Sequence, residues 1–335
     1  MTIRVGIVGA TGYTALETAR LLIQHPTAKI VAATSRADAG KPLCDVHPSL
    51  SGRVDVQLSE LDCESVAKNS DVVMCCLPHG ASAATVKELV SHGTRVIDFS
   101  ADFRLSSVEL YEKWYSVKHP WPQRVGATAY GMPEFFADQI RDADVVANPG
   151  CYPTSAILPL APLIQDDLVD SDDIIVDSKS GVSGAGRSAK LATLYCETNE
   201  SIAAYAVGSH RHQPEIADLV HRIGGKKTSV VFTPHLTPMA RGILSTIYVK
   251  SKVDAAGIID HWRECYSDAP FVLPVGHLPA TKHVAGTNYV HVTARDAGER
   301  TVLVCAIDNL AKGASGAAIQ NMNVMFGLDQ QIGLA

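Results

Sequence analysis

The first half of the chain alternates between short apolar runs and segments with helical periodicity. Ile3–Val8 is rich in β-branched residues, as buried parallel strands are, and a helical pattern follows from Tyr13. Similar apolar runs occur at residues 30–34, 71–78, 95–99 and 145–147. This alternation predicts an α/β fold with a Rossmann-type doubly wound parallel sheet.

The second half has a different pattern, in which apolar and polar positions often alternate. The candidate strands are residues 174–177, 229–232, 243–249, 289–292 and 301–305. They predict an α+β domain whose sheet has one face covered and the other free for helices or a subunit partner. A last helix, from 314 to about 326, is apolar enough to pack back on the first domain. We therefore predict a domain at 1–148 that includes residues 313–335, and a second domain at 149–312.

Residues 106–140 show no clear period apart from a turn at Tyr130-Gly131-Met132-Pro133-Glu134. We expect a long irregular segment there. Long ordered loops are more often functional than not.

The composition narrows the class of protein. The chain has 335 residues, of which 46% are hydrophobic and 19% charged, and a net charge of -6 with no basic run. These values indicate a globular protein and argue against a nucleic acid or an anionic membrane as partner. The chain begins in a strand without a signal-peptide pattern, and no apolar run approaches the ~20 residues of a membrane helix. The eight cysteines lack a C-x-x-C pair, which favours reduced thiols and a cytoplasmic location.

A glycine-rich turn separates the first strand from the first helix. Gly9 and Gly12 lie where backbone and helix N-terminus bind the pyrophosphate of a dinucleotide. Gly9, Thr11, Gly12 and Tyr13 are therefore candidate cofactor-binding residues. The alternative is that these glycines only make a tight turn.

The end of the second strand bears on the choice of nicotinamide cofactor. NAD sites place Asp or Glu there to bind the ribose 2′-hydroxyl, whereas this chain has Thr34-Ser35-Arg36. A hydroxyl and a guanidinium bind a 2′-phosphate that a carboxylate would repel. Ser35 and Arg36 therefore predict NADP(H), unless Arg36 is a solvated loop residue.

Two further segments follow strands at the carboxyl edge, where open α/β sheets bind ligands. Pro78 ends the run at 71–78 and is a candidate cofactor contact. Arg104 follows the strand at 95–99 and could bind a substrate carboxylate or phosphate. It could equally pair with Asp102 as a structural bridge.

Cys151 is the strongest candidate for chemistry. It lies between the apolar run 145–147 and a predicted helix, for which Pro153 suits the first position. A thiol over a helix N-terminus has a lowered pKa and forms the nucleophilic thiolate. The alternative is a buried core cysteine. Pro159 and Pro162 predict that the helix is short or kinked.

Two segments of the second half carry polar groups. Residues 180–187 form a glycine-rich stretch whose N–H groups could bind an anion, or which could be a flexible turn. Residues 210–215 include His210 and His212, and a histidine beside a cysteine would complete a nucleophile pair. No third ligand at usable spacing accompanies these histidines, so we predict no metal.

These candidates together narrow the reaction. Simple hydride transfer between alcohol and ketone needs no cysteine. A cysteine is needed when the carbonyl is at the acid oxidation level, because it carries the acyl group as a thioester. The sequence therefore predicts an aldehyde dehydrogenase or an acyl-phosphate reductase.

Short motifs run in order along nearly the whole chain: residues 8–13, 77–80, 100–104, 130–134, 149–154, 180–187, 210–216, 232–235 and 308–313. On these motifs the chain resembles the N-acetyl-γ-glutamyl-phosphate reductase family of the semialdehyde dehydrogenase superfamily. The cysteine, glycine-rich and double-histidine motifs are highly specific in combination. Met132 stands where leucine is commoner.

The resemblance implies roles for individual residues. Cys151 would be the acyl acceptor and His210 the acid/base, with His212 less suited to that role. The candidates for binding the substrate's carboxylate and phosphate are Arg104, Arg187, His212 and Arg241. The candidates near the nicotinamide in the second half are Ser183, Gly184 and Asn309. The resemblance also implies a homodimer or homotetramer built through the second domain.

The implied reaction is the NADPH-dependent reduction of N-acetylglutamyl 5-phosphate in arginine biosynthesis. The Cys151 thiolate attacks the acyl phosphate, phosphate leaves, and the thioester is reduced to N-acetylglutamate 5-semialdehyde. The rival within enzymes is a reductase of aspartyl phosphate or of carrier-bound aminoadipyl phosphate, since one methylene or an acyl cap is a matter of pocket shape. The rival from another class is a non-catalytic NADP-binding regulator, against which the presence of both Cys151 and His210 speaks.

Overall fold

The computed structural model describes residues 2–334, which divide into two units. The first unit extends to Pro149 and resumes at Ala314. The second runs from Gly150 to Gly313.

Seven parallel strands form the sheet of the first unit: β1 Ile3–Val8, β2 Ala28–Thr34, β3 Leu58–Ser59, β4 Val72–Cys75, β5 Arg95–Asp98, β6 Ala129–Tyr130 and β7 Val145–Ala147. Their order is β3-β2-β1-β4-β5-β7-β6. The central strand β4 is wholly buried, as its unbroken apolar run predicts. The chain order reverses between β1 and β4, which confirms the predicted doubly wound sheet.

Six helices connect these strands: α1 Tyr13–Gln24, α2 Leu43–Val46, α3 Cys63–Asn69, α4 Ser82–Ser91, α5 Val108–Tyr115 and α6 Pro133–Arg141. The expectation of an irregular segment at 106–140 is therefore wrong for α5 and α6. The Ser107 side chain caps α5 by accepting from the Leu110 N–H at 3.1 Å. Among the residues of α5 only Tyr111 is buried. The sequence of this segment therefore shows little of the helical periodicity in apolar residues that would have predicted the helix.

The second unit contains a mixed sheet of seven strands: β8 Ile174–Gly181, β9 Ala203–Ala204, β10 Val230–Thr237, β11 Ile243–Val249, β12 Val272–Pro274, β13 Val290–Ala297 and β14 Arg300–Ile307. Their order is β12-β13-β14-β11-β8-β10-β9. Burial alternates along β11, where Ile243, Ser245, Ile247 and Val249 are buried and the residues between them are partly exposed. This confirms the predicted α+β character with one face covered.

Five helices belong to the second unit: α7 Cys151–Gln165, α8 Tyr195–Thr198, α9 His212–Gly224, α10 Ala255–Cys265 and α11 Thr281–Val284. The helix α7 begins at Cys151 and runs for 15 residues, so the predicted start at Pro153 is wrong, and of the two alternatives, a short or a kinked helix, the short one is wrong. Pro162 cannot donate to the carbonyl oxygen of Leu158, and the Tyr266 hydroxyl donates to that oxygen in its place. A tertiary contact thus compensates for the proline.

The chain returns to the first unit through a π-helical turn, Ala311–Ser315, and the helix α12 Gly316–Met325. The Ser315 hydroxyl donates to the carbonyl oxygen of Thr14 at 2.8 Å, and the Asn321 amide donates to that of Gly131 at 2.9 Å. These contacts pack the C-terminal helix on the first unit. In the described part of the chain, no helix has the length and apolar character required to cross a bilayer.

Candidate active site

Cys151 is the first residue of α7, directly after the N-cap Gly150. The side chain is partly exposed, so the thiol is not enclosed in the core. The first N–H groups of a helix have no intrahelical acceptor and favour negative charge. The Gly150 N–H donates to Glu215 Oε1 at 3.0 Å, and Glu215 is 1% exposed. A buried carboxylate on α9 therefore orients the backbone that carries the thiol.

Gly313 packs closely against Cys151. A Cβ atom at Gly313 would lie 2.9 Å from Cys151 Cβ and 3.3 Å from both Cys151 Cα and the carbonyl oxygen of Asp308. Only glycine therefore leaves Cys151 in its present position.

His210 lies in an aromatic cluster that begins with Tyr152, the residue after Cys151. The ring centroid of His210 is 5.7 Å from that of Tyr152, 5.4 Å from those of Tyr205 and Phe232, and 4.9 Å from that of His212. These ring contacts place His210 and His212 in the same part of the second unit as the start of α7.

The protonation state of His210 follows from its surroundings. Burial lowers the pKa of His210 to about 4, with a smaller contribution from the charge of Arg211. The His212 N–H donates to His210 Nδ1 at 3.1 Å. Because Nδ1 accepts, the neutral ring carries its proton on Nε2. His210 is therefore a neutral hydrogen-bond donor near pH 7.

Two tyrosines border the same cluster. The Tyr205 hydroxyl donates to that of Tyr152 at 3.0 Å, and the Tyr152 hydroxyl donates to the carbonyl oxygen of His235 at 3.3 Å. Burial raises the pKa of Tyr205 to about 12 and that of Tyr152 further. Both hydroxyls therefore stay protonated and act as fixed dipoles.

A second group of predicted residues gathers around the buried carboxylate of Asp308. Arg241 binds it with two bonds, from Nε at 2.8 Å and from Nη2 at 3.0 Å, and the Gly286 N–H donates to it at 2.6 Å. Asp308 is fully buried, and the Arg241 side chain is 23% exposed. The guanidinium predicted to bind substrate is thus already engaged by Asp308 on one edge.

Asn309, Ser183 and Gly184 lie together. The Asn309 amide donates to Ser183 Oγ at 3.0 Å and accepts from the Gly242 N–H at 2.7 Å. A Cβ at Gly184 would lie 3.8 Å from the Asn309 Nδ2 atom. Arg187, a few residues further on, is exposed.

The remaining cofactor candidates lie at the carboxyl edge of the first sheet. Gly9 follows β1 with a φ of +78°, and a Cβ there would lie 2.9 Å from the carbonyl oxygen of Cys76. Gly12 is the N-cap of α1 and has no side chain over the first free N–H groups. This arrangement leaves a bare backbone surface that fits a pyrophosphate. The candidates around it are Thr11 and Tyr13 at the turn, Ser35 and Arg36 after β2, and Pro78 after β4.

Arg104 is 3% exposed and binds backbone atoms. Its Nε donates to the carbonyl oxygen of Asn148 and its Nη2 to that of Phe99, both at 2.7 Å. Asp102, the alternative partner, accepts from the Gly80 N–H at 2.7 Å and from the Tyr111 hydroxyl at 2.9 Å. These bonds hold the Arg104 guanidinium against the backbone of the segment before Cys151, and its predicted contact with substrate stays a prediction.

Sequence reasoning did not single out three residues that shape the site: Glu215, Asp308 and Gly313. All three lie inside motifs that the sequence analysis quoted. The motifs were the available signal, but nothing in a linear motif tells which member touches the cysteine.

Two family descriptions match the chain. "Semialdehyde dehydrogenase, NAD binding domain" matches residues 4–143, and "Semialdehyde dehydrogenase, dimerisation domain" matches residues 151–309. The fold is also that of aspartate semialdehyde dehydrogenase II from Vibrio cholerae, with a TM-score of 0.75 at 17% identity over 98% of this chain and 99% of that one. An aspartate semialdehyde dehydrogenase with NADP from Candida albicans matches with a TM-score of 0.74 at 17% identity, over 99% of this chain and 100% of that one. Fold and matched domains define a semialdehyde dehydrogenase.

Curated relatives narrow the assignment. The chain is 67% identical to an N-acetyl-gamma-glutamyl-phosphate reductase from Rhodopirellula baltica, over 99% of this chain and 98% of that protein. It is 45% identical to the Halothermothrix orenii protein of the same name, over the same shares. The chain belongs to the N-acetyl-gamma-glutamyl-phosphate reductase family, as its motifs predicted.

Proposed function

We propose that this protein reduces N-acetylglutamyl 5-phosphate to N-acetylglutamate 5-semialdehyde and phosphate, with NADPH, in arginine biosynthesis. The observation that carries the proposal is the partly exposed thiol of Cys151 at the start of α7, with the neutral ring of His210 beside Tyr152. The 67% identity with the Rhodopirellula baltica reductase supports the choice of substrate.

The residues of the chain divide the work between bond formation and charge stabilisation. The Cys151 thiolate forms a bond to the acyl carbon, the bond from that carbon to the phosphate oxygen breaks, and inorganic phosphate leaves, taking one proton from the solvent to become HPO₄²⁻. NADPH, when bound, supplies the hydride that takes the thioester to the aldehyde level. The Nε2–H of His210 donates a hydrogen bond to the negative oxygen of the tetrahedral adducts. Collapse of the last adduct releases the aldehyde and restores the thiolate without a proton transfer. A neutral imidazole that only donates a hydrogen bond is therefore enough for this step.

The substrate's anionic groups need cationic partners. We assign this role to Arg187, which is exposed, and to the outer edge of Arg241, whose inner edge is bound by Asp308. His212 is a further candidate because its ring lies 4.9 Å from that of His210. Arg104 would act through the backbone at Asn148.

NADP(H) is the proposed cofactor. The pyrophosphate would lie over Gly9 and Gly12, and Ser35 and the exposed Arg36 would bind the 2′-phosphate. Arg36→Ala should raise KM for NADP(H) at least about tenfold and leave KM for NAD(H) nearly unchanged. Lys87→Ala, an exposed cation on α4, is the control. Equal changes for both cofactors would contradict the assignment.

We propose a homodimer or homotetramer built through the second unit. Several large apolar side chains are exposed there, including Leu191 at 74%, Tyr195 at 76% and Val231 at 58%. The matched "dimerisation domain" covers these residues. The molar mass in solution, measured by light scattering, tests this proposal. The cytoplasmic location stays a prediction.

The proposed reaction is tested in the reverse direction. The protein is mixed with NADP, phosphate and N-acetylglutamate 5-semialdehyde, and NADPH formation is followed by absorbance. Cys151→Ser should lose the phosphate-dependent activity by at least about 1,000-fold. Near-full activity of that variant would refute the thioester route, and preference for aspartate semialdehyde would favour the rival substrate.

A further inference from the structure

Three histidine side chains of the second unit lie together outside the motifs used for the proposed reaction. They are His277 in the segment after β12, His283 in α11 and His291 in β13. One ring nitrogen of each lies within 4.8 Å of those of the other two. The ring centroid of His277 is 5.2 Å from that of His283 and 5.6 Å from that of His291.

The donor set is selective for a class of ion. Imidazole nitrogens bind Zn²⁺ and the neighbouring divalent transition metals, whereas Mg²⁺ and Ca²⁺ require oxygen ligands. A tetrahedral Zn²⁺ with bonds of about 2.0 Å needs nitrogens about 3.3 Å apart. The ligand nitrogens lie within 4.8 Å of one another, so reaching that spacing requires a movement of at most about 1.5 Å. His277 and His283, whose rings would move, are exposed. We propose that His277, His283 and His291 bind one Zn²⁺ ion, with water in the fourth position.

The state of His291 suits a ligand bond. Its Nδ1 is buried and has no hydrogen-bond partner among residues 2–334. Buried polar atoms of this kind are rare in folded proteins. A metal bound at Nδ1 would satisfy that atom directly.

The segment that carries the ligands is anchored at both ends. Arg295 Nη2 donates to the carbonyl oxygen of Gly276 at 2.5 Å, immediately before His277. The Gly286 N–H donates to Asp308 at 2.6 Å, three residues after His283. Binding costs one contact, since the Ala280 N–H donates to His283 Nδ1 at 3.2 Å. This hydrogen bond is exposed to solvent and weaker than a metal–nitrogen bond, so losing it costs less than the metal bond contributes. The two anchoring bonds hold the loop in place whether or not the metal is bound.

A competing cluster in the same unit is a poorer site. His261 Nε2 lies 3.1 Å from Asp166 Oδ2 and 3.4 Å from Cys265 Sγ, so its members already bind one another. Burial and the charges of Asp166 and Glu264 raise the pKa of the Cys265 thiol. A protonated thiol is a weak metal ligand. The three-histidine cluster has neither disadvantage.

Co²⁺ is the probe because it occupies zinc sites and has a visible spectrum that reports its ligands. The full-length protein, without a histidine tag, is titrated with Co²⁺, and Zn²⁺ is then added as a competitor. We expect one equivalent of Co²⁺ with visible d–d bands, no thiolate-to-cobalt band in the near ultraviolet, and displacement by Zn²⁺. His277→Gln and His283→Gln should each weaken binding at least about tenfold.

Matched variants separate this site from others. His92→Gln removes an exposed histidine of the first unit, and Cys265→Ser removes the thiol of the competing cluster. Both should bind Co²⁺ with unchanged affinity. His277 and His283 are exposed, so their variants should fold, which circular dichroism checks. Binding that survives both histidine substitutions, or a thiolate band that places the metal at a cysteine, would overturn the proposal.

Discussion

Gly313→Ala tests whether the position of Cys151 limits the reaction. The substitution adds a single methyl group beside the nucleophile and removes no polar group. The new Cβ would lie 2.9 Å from Cys151 Cβ and 3.3 Å from its Cα, whereas ordinary contacts begin at 3.4 Å. The two segments must therefore separate by about 0.5 Å.

The size of the effect follows from what can move. The residues of α7 from Tyr152 to Ile164 are buried, so the helix cannot shift as a body without disturbing the core. The displacement falls on Cys151 or on the segment from Asp308 to Gly313. A misplacement of about 1 Å costs about 100-fold in rate, so about 0.5 Å should cost about tenfold in kcat. The added methyl group should also lower the free energy of unfolding by about 1–3 kcal/mol.

The assay compares kcat in the reductive or reverse direction with the rate at which iodoacetamide alkylates the thiol. Gly276→Ala is the matched control, because nothing lies within 4 Å of the added atom there. We expect Gly313→Ala to lower kcat about tenfold and Gly276→Ala to leave it unchanged. A folded Gly313→Ala protein with kcat within about twofold of the parent would refute the reasoning.

Two further predictions concern ionisable side chains, His210 and the ion pair between Asp308 and Arg241. The folded pKa of His210 is about 4, below the ordinary 6.5, so the unfolded chain binds more protons between these values and stability falls as pH falls through that window. Lowering the pH from 7 to 5 should therefore reduce the free energy of unfolding by about 2 kcal/mol through this group. The His210→Asn variant lacks the group, so its free energy of unfolding, measured with urea at the two pH values, should fall by about 2 kcal/mol less than that of the parent protein. Equal decreases in the two proteins would contradict the lowered pKa of His210. Asp308→Asn leaves Arg241 without its carboxylate and faces the Gly286 N–H with an amide, so the free energy of unfolding should fall by about 3 kcal/mol. A change below about 1 kcal/mol, measured by the same unfolding, would show that the pair contributes little.

The elements that the sequence predicted best are those with a strong local pattern. The parallel strand β4 is a run of apolar residues, and such a run has few alternatives to a buried strand. The elements α5 and α6 were missed because each buries only a few side chains, so their period is weak. The length of α7 was misjudged because its prolines predict a break, and the compensating hydroxyl comes from Tyr266, over 100 residues away.

The candidate site shows the same division. The residue types around Cys151, His210 and Arg241 predict their chemistry, and their motifs identify the family. Which residues they contact depends on distances in the folded structure. The Gly150 N–H donates a hydrogen bond to Glu215, and Gly313 packs closely against Cys151. In both pairs the two residues are far apart in the chain.

The sequence by itself determined the fold class and the family, because local apolar patterns and short motifs carry that information, and it predicted which groups react. Only the tertiary structure decided that Asp308 binds Arg241, that His210 is a partly buried, neutral ring and that three histidines separated in the sequence lie together. The physical reason is that burial, ion pairing and metal-ligand geometry depend on distances through space. Those distances are set by how the sheets and helices of each unit pack.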